Sequence, residues 1–554
     1  MPAANFHKGF VMIDNARLHY VRSGNGPAVV LLHASPNSAR IVRPLQEIFG
    51  TSLTTFAFDL PGYGLSEPVP GEVTTSKVAD RIAEGMKALG ITKAVLYGRH
   101  TGASIAVELS IRHPDLASFV LCDGFPLFGK KYSDEDLADY FQIPTPVRDG
   151  GHLIWSWYRC REQYLFWPWN KPGLTTRADR GLPDAEYLHR STVEFLEAGE
   201  NLPAIYASAF RYDGRGAFHR LKVPVCFGNR PGDSQFKTMP TYPENLWTKE
   251  FPRDNTSAAL EERKLLVGYA SEPAPEPISA SWTGNSLIRD YTEGASGQSY
   301  VVAAGLDLAC RPLLIVPSIP GSHVDHQHLV ETLGQHRPVA TFDPRGFGES
   351  PLDAEQALTP ELWAKQAIEI ADALGWKNFD LLVSGTGVVT LPHLWDAAEA
   401  RVGKVHLLSP AVAPKALRSE FAANYAPDIT PSSEGAHLLR LWHHLRDQEL
   451  FWPAYRTTHE ARRTVEPSIE PAKLQERALP LLKQPRSYAE AWSAVWNTPI
   501  LELLARIDFS GRAELLHREE DIFLPLLVHA EGALGLPRTS VMDANLAEHL
   551  RASP

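Results

Sequence analysis

Residues 94–108 read AVLYGRHTGASIAVE, an apolar run that enters Gly98-Arg99-His100-Thr101-Gly102 and continues as helix-forming sequence. Two glycines around one raised residue permit a sharp strand-to-helix turn that bulkier residues would block. On either side, AVVLLHA (28–34) and SFVLCDG (118–124) are continuous apolar runs, as in strands covered on both faces. TTFAFDLPG (54–62) and VPVCFGN (223–229) add two more strands, and GFVMIDNARLHYVRSG (9–24) alternates like a hairpin. Lys77–Leu89 and Ala103–Arg112 carry apolar residues at helical spacing. Strand, helix, strand with short joints predicts an α/β fold with a mostly parallel sheet and crossover helices. A Trp-rich stretch, 130–219, interrupts that order and reads as an inserted helical cap.

The pattern recurs. TPVRDGGHLIWSWYRCREQYLFWPW begins at Thr145 and TPSSEGAHLLRLWHHLRDQELFWPAY at Thr430. His152/His437, Trp157/Trp442, Arg161/Arg446, Trp167/Trp452 and Pro168/Pro453 share one offset, 437 − 152 = 285. FDLPGYGLS from Phe58 meets FDPRGFGES from Phe342 at an offset of 284. That period is too long for a solenoid, so one whole domain reads as duplicated. The halves are 1–272 and 280–554, with a second cap at 415–508 and a Pro- and Ser-rich joint between them. In the second half VSGTGVV places Gly385 where the first has His100.

The LLHASPNS loop, the DLPGYGLS turn and the Gly98–Gly102 turn, in that order along the chain, resemble the α/β-hydrolase fold superfamily. The resemblance covers both halves and is nearest to its capped branch of dehalogenases, epoxide hydrolases and carbon–carbon bond hydrolases. It implies two tandem α/β-hydrolase domains, each with a cap. It also implies a Ser, Asp or Cys nucleophile at the turn and a histidine after the last strand. Neither is present. His100 and Gly385 occupy the two turns. No histidine lies between His219 and His323, the stretch that holds the first expected last strand, KLLVGYASEP (264–273), and in the second, LPLLVHAEGALGLP (524–537), the expected loop offers Ala and Leu. The second half, with no side chain at its turn, reads as a degenerate copy.

His100 is therefore the candidate central base or nucleophile of the first half. A base needs an orienting acid, and both Asp123 and Asp233 stand at strand ends where the resemblance places one. The backbone of Thr101 and of Ala34–Ser35 would form an oxyanion hole. His33 and Arg99 are candidates for binding an anionic group. Trp155 and Trp169, replaced by Arg440 and Ala454 in the second copy, are the candidate lining of an apolar or aromatic pocket. HVDHQH (323–328) lacks a metal-site pattern and reads as a solvated helix start.

The composition narrows the function classes. The chain has 554 residues, 44% of them hydrophobic, with 54 Lys and Arg against 65 Asp and Glu. A net charge of −11 argues against nucleic acid. No apolar run approaches the roughly 18 residues of a membrane span. The scattered Cys122, Cys160, Cys226 and Cys310 suggest reduced thiols and a cytoplasmic protein. The expectation is an enzyme without metal or organic cofactor, acting on a small ester, lactone, thioester or amide, with self-association left open. The alternatives are a lyase, isomerase or cofactor-free oxygenase using the same base, or a ligand-binding pseudo-hydrolase.

Overall fold

The computed structural model describes residues 6–128, 132–353 and 356–551. It divides into two units: residues 1–145 with 155–279, and residues 146–154 with 280–554. The break after residue 279 lies in the Pro- and Ser-rich joint. The grouping of 146–154 with the second unit was not legible in the sequence.

The first unit has strands β1 (Phe6–Ile13), β2 (Ala16–Ser23), β3 (Ala28–Leu32), β4 (Thr54–Phe58), β5 (Ala94–Arg99), β6 (Ala117–Asp123), β7 (Val225–Asn229) and β8 (Trp247–Glu250). Its sheet order is β1-β2-β4-β3-β5-β6-β7-β8, with β1 and β2 antiparallel to each other, β2 antiparallel to β4, and every later pairing parallel. Asp14 and Asn15, both at positive φ (49° and 66°), close the β1–β2 hairpin with the twist that such turns favour. The helices are α1 (Arg43–Phe49), α2 (Thr75–Ala88), α3 (Thr101–Arg112), α4 (Asp134–Tyr140), α5 (Gly151–Leu165), α6 (Ala185–Ala198), α7 (Leu202–Arg211), α8 (Gly214–Phe218) and α9 (Asn255–Tyr269). Helices α4 to α8 fall between β6 and β7, where the cap was expected.

Successive side chains of the central strands go to opposite faces, and both faces are covered. Val30, Leu32, Leu96, Val120 and Phe227 pack with α2, α3 and the cap. Val29, Leu31, Val95, Leu121 and Cys226 pack with Ala258 and Leu266 of α9.

The second unit has β9 (Ile288–Thr292), β10 (Ser299–Ala304), β11 (Leu313–Val316), β12 (Val339–Phe342), β13 (Phe379–Ser384), β14 (Val402–Leu408), β15 (Ala513–His517) and β16 (Arg538–Ser540). Its helices are α10 (Gln327–Leu333), α11 (Pro360–Ala373), α12 (Leu391–Ala398), α13 (Lys415–Asn424), α14 (Ala436–Leu450), α15 (Pro471–Leu482), α16 (Arg486–Asn497), α17 (Ile500–Leu504), α18 (Leu527–Leu534) and α19 (Asp543–His549). Its strand order, β9-β10-β12-β11-β13-β14-β15-β16, follows the same scheme. Both units are α/β folds built on a mostly parallel sheet with crossover helices.

Two expected strands are helices. Residues 264–269 end α9, which Asp254 caps by accepting the Ser257 N–H and which buries Leu266. The last strand of that unit is instead β8, WTKE, an exposed edge with too few apolar residues to signal itself. In 524–537 the apolar run forms α18, closed by Gly535 at φ 63°, and the last strand is the exposed β16. A short apolar run cannot distinguish buried helix from strand, which is why both were misread. His323 to His326 do form a short helical turn before α10, but it is not a solvated one, since His323 Nδ1 meets the buried Asp343 at 2.6 Å and His326 is itself buried. All four cysteines are free, and no helix of the described residues is long and apolar enough to cross a membrane.

Candidate active site

Strand β5 ends at Arg99, and α3 begins at Thr101, so His100 must turn the chain within one residue. It does so at φ 47° and ψ −111°, a sparsely populated state for any residue but glycine. A Cβ at Gly98 would collide with the Gly102 carbonyl, and one at Gly102 with the Leu32 carbonyl. Both flanking glycines are thus required by the close approach of α3 to β3 and β5.

The imidazole lies against Asp233, with Nε2 to Oδ2 at 2.8 Å. Asp233 is buried, and burial alone would raise its carboxyl. The His100 charge and hydrogen bond, Arg99 and the Gln235 N–H outweigh that and hold it well below the usual carboxylate range. Room for the ring comes from Gly124, where a Cβ would stand 2.7 Å from Cδ2 and 2.8 Å from Nε2 of His100. With Nε2–H donating to Asp233, Nδ1 carries the free lone pair.

Asp123 is not the partner of this ring. Its backbone oxygen accepts the His100 N–H at 3.1 Å, but its carboxylate accepts from Tyr97 Oη (3.0 Å) and Arg230 Nη2 (2.8 Å), with Arg99 Nε at 3.5 Å. The pleat explains this. Tyr97, Arg99 and Asp123 share the face covered by α9, whose Glu262 takes a second Arg230 hydrogen bond at 2.7 Å. Burial, with the neighbouring Asp123 charge, raises the Glu262 carboxyl against the pull of Arg230. Residue types alone gave no sign of this Tyr97–Asp123–Arg230–Glu262 network, because its members are scattered along the chain.

His33 is not an anion site. Nε2 accepts the Leu60 N–H at 2.9 Å, Nδ1 donates to the Ala34 oxygen at 3.0 Å, and complete burial lowers its pKa, so the ring is neutral. Ala34 and Ser35 lie on the loop that Glu194 of α6 holds. Glu194 accepts from Asn37 Nδ2 (2.9 Å), Ser38 Oγ (3.0 Å) and Ser38 N (3.3 Å). Thr101, buried, opens α3, where backbone N–H groups have no intrahelical acceptor.

A cavity of about 430 Å³ is walled by Arg99, Tyr164, Arg180, Tyr187, Arg230 and Asp233, among others. His100 does not line it but stands beside it through Asp233. Trp155 and Trp169 do not border it either. They meet edge to face at 6.0 Å, Trp169 Nε1 donates to the Tyr140 oxygen at 3.1 Å, and the buried Arg159 guanidinium lies 4.9 Å from the Trp169 ring. These contacts pack Trp155 and Trp169 within the cap.

In the second unit the corresponding turn has Gly385 at φ 49°, and a Cβ there would strike Ser318 Oγ and stand 3.2 Å from Phe523. Ser409, at the position matching Gly124 (409 − 124 = 285), has φ 43° and donates its hydroxyl to Asp521. Asp521 is four residues past β15, as Asp233 is past β7. One unit therefore has a side chain at the turn and glycine at the strand end, and the other has the reverse. A cavity of about 280 Å³ lies there, lined by Gly385, Ser409, Asp521, Glu449, Arg477 and Trp492, among others.

Residues 27–147 match the α/β hydrolase fold family. The chain is 29% identical over 187 residues to epoxide hydrolase 3 of Mus musculus, covering 32% of this chain and 46% of that one. It is 32% identical over 153 residues to a soluble epoxide hydrolase of Corynebacterium sp. (strain C12), covering 26% and 51%. Each match spans about half of the relative's own length. A solved epoxide hydrolase mutant of Vigna radiata superposes with a TM-score of 0.38 at 18% identity, over 49% of this chain and 99% of that one. It is residues 27–147, from β3 through the His100 turn and β6, that carry the sequence match to the α/β hydrolase fold family.

Proposed function

We propose that the first unit is a hydrolytic enzyme whose central group is His100 acting as a general base oriented by Asp233. The observation that carries this is the 2.8 Å bond from Nε2 to a buried carboxylate, which leaves Nδ1 able to take a proton. In the proposed step Nδ1 removes a proton from water as the water oxygen bonds to an electrophilic carbon. The imidazolium then returns that proton to the leaving oxygen or nitrogen as its bond to carbon breaks. The Thr101 N–H and the Ala34–Ser35 backbone stabilise the transient oxyanion. The step draws on no metal or organic cofactor.

The substrate is a small ester, lactone, thioester or amide with an apolar or aromatic body, and Arg99 with Arg180 favours one that also carries a carboxylate. Epoxides belong in the same test, since two matched relatives bear that name. We read the two units as copies of one domain, 1–272 and 280–554, the second having lost the turn side chain, and the protein as cytoplasmic. The same base could serve an elimination, isomerisation or oxygenation, and the product tells these apart. Hydrolysis adds one water, elimination and isomerisation add none, and oxygenation consumes O₂.

A second reading is a binding protein that turns nothing over. It is favoured by His100 standing outside the arginine-walled cavity. Both are tested by incubating a metabolite extract with wild type, His100→Ala and Asp233→Asn, each checked for folding, and reading the extract by mass spectrometry. A species consumed by wild type alone supports the enzyme. A compound retained by all three and never consumed supports the binding protein.

A further inference from the structure

His406 on β14, Glu514 on β15 and His549 at the end of α19 converge on the second unit's sheet, away from the cavity already described. Strands β14 and β15 pair His406 with Glu514 in register. His406 Nδ1 and His549 Nε2 both reach the same oxygen, Glu514 Oε1, at 2.5 and 2.8 Å. One ligand atom from each of the three lies within 4.8 Å of the others. The His406 side chain is 6% exposed, while Glu514 and His549 are about one third exposed, so the group opens to solvent on one side.

The fold does not require this polar trio. In the first unit the register pair at the same place is Leu121 with Cys226, both fully buried and packed with α9. The second unit has replaced an ordinary core pair with an imidazole and a carboxylate, and a third side chain from a separate helix completes the set. Burying such groups is unfavourable unless they gain partners.

We propose that His406 Nδ1, a Glu514 carboxylate oxygen and His549 Nε2 form a binding site for a divalent transition metal, zinc being the best match. Two imidazoles and one carboxylate suit zinc, whereas magnesium and calcium prefer all-oxygen sets. Ligand atoms of a tetrahedral zinc site with bonds of about 2.0–2.1 Å stand roughly 3.3 Å apart. The two rings need only back away from the shared oxygen by less than about 1 Å, which side-chain torsions supply. On binding, each ring changes tautomer, its proton passing through solvent from the ligating nitrogen to the other ring nitrogen, so that the freed lone pair of a neutral imidazole turns to the metal, with water as a fourth ligand. The site would fasten α19 to the sheet.

The test uses the full chain freed of metal by chelation and dialysis, titrated with Co²⁺ by visible absorption and with Zn²⁺ by calorimetry. Wild type is compared with His549→Ala and Glu514→Gln, both partly exposed positions. The expected result is one metal per chain, the intense bands of four-coordinate Co²⁺, and at least tenfold weaker binding in each variant. Zinc should also raise the Tm of wild type, with that rise lost in the variants. If wild type shows no saturable binding, the trio is a hydrogen-bonded latch and the proposal is overturned. Binding that both variants retain in full overturns it as well.

Discussion

His100 adopts a backbone state that disfavours a non-glycine residue by about 1–3 kcal/mol, and its ring lies on a buried acid. The surrounding glycines make that state possible, so the strain is maintained by its setting. His100→Ala should lower turnover by about 10²–10⁴ with the circular dichroism spectrum unchanged, and Asp233→Asn should have an effect of similar size. Gly124→Ala should do comparable harm from the opposite side. Its Cβ would stand 2.7 Å from the ring at φ +70°, so the imidazole must leave Asp233. We expect lost turnover and a Tm lowered by the equivalent of about 1–2 kcal/mol, read by calorimetry. The histidine and its flanking glycines were legible as a motif. The choice between Asp123 and Asp233 was not, because both sit at strand ends and only the pleat directs one toward α9.

Helix α6 of the cap is tied to the Ala34–Ser38 loop through Glu194. Burial raises that carboxyl to about 7, against the opposing effects of Arg40 and of hydrogen bonds from Asn37 and Ser38. An acid with a raised folded pKa holds more protons folded than unfolded between its two values. Stability from this group is therefore full at low pH and falls as pH rises from about 4.5 to about 7. The loss amounts to something on the order of 3 kcal/mol. Glu194→Gln should flatten the dependence across that window, and denaturant melts at pH values on either side of it are the check. An equal slope in both proteins would contradict the assignment. At this scale the central strands were readable because both faces are apolar, and the cap because its Trp-rich sequence breaks the alternation. Edge strands β8 and β16 were not, since an exposed edge needs no apolar pattern.

The two units share one strand order and place their polar groups differently at the same sites: His100 and Gly124 in one, Gly385 and Ser409 in the other. With no side chain at its turn, the second unit lacks the proposed base. Ser409→Ala should leave turnover unchanged, and serine-directed phosphonylating reagents should not inhibit, as steady-state assays would show. A fall of tenfold or more in Ser409→Ala would move the chemistry to the second cavity. The same contrast marks His406 and Glu514, which stand where the first unit has Leu121 and Cys226.

The sequence alone determined the α/β class and the glycine-flanked turn, because these follow from local apolar pattern and from residue identity. Tertiary structure alone decided which carboxylate meets His100, that His33 is a neutral ring, that Trp155 and Trp169 pack the cap, and that two histidines and a glutamate converge. Each of those depends on which face a side chain takes and on what distant segment covers it. Spacing along the chain does not encode either.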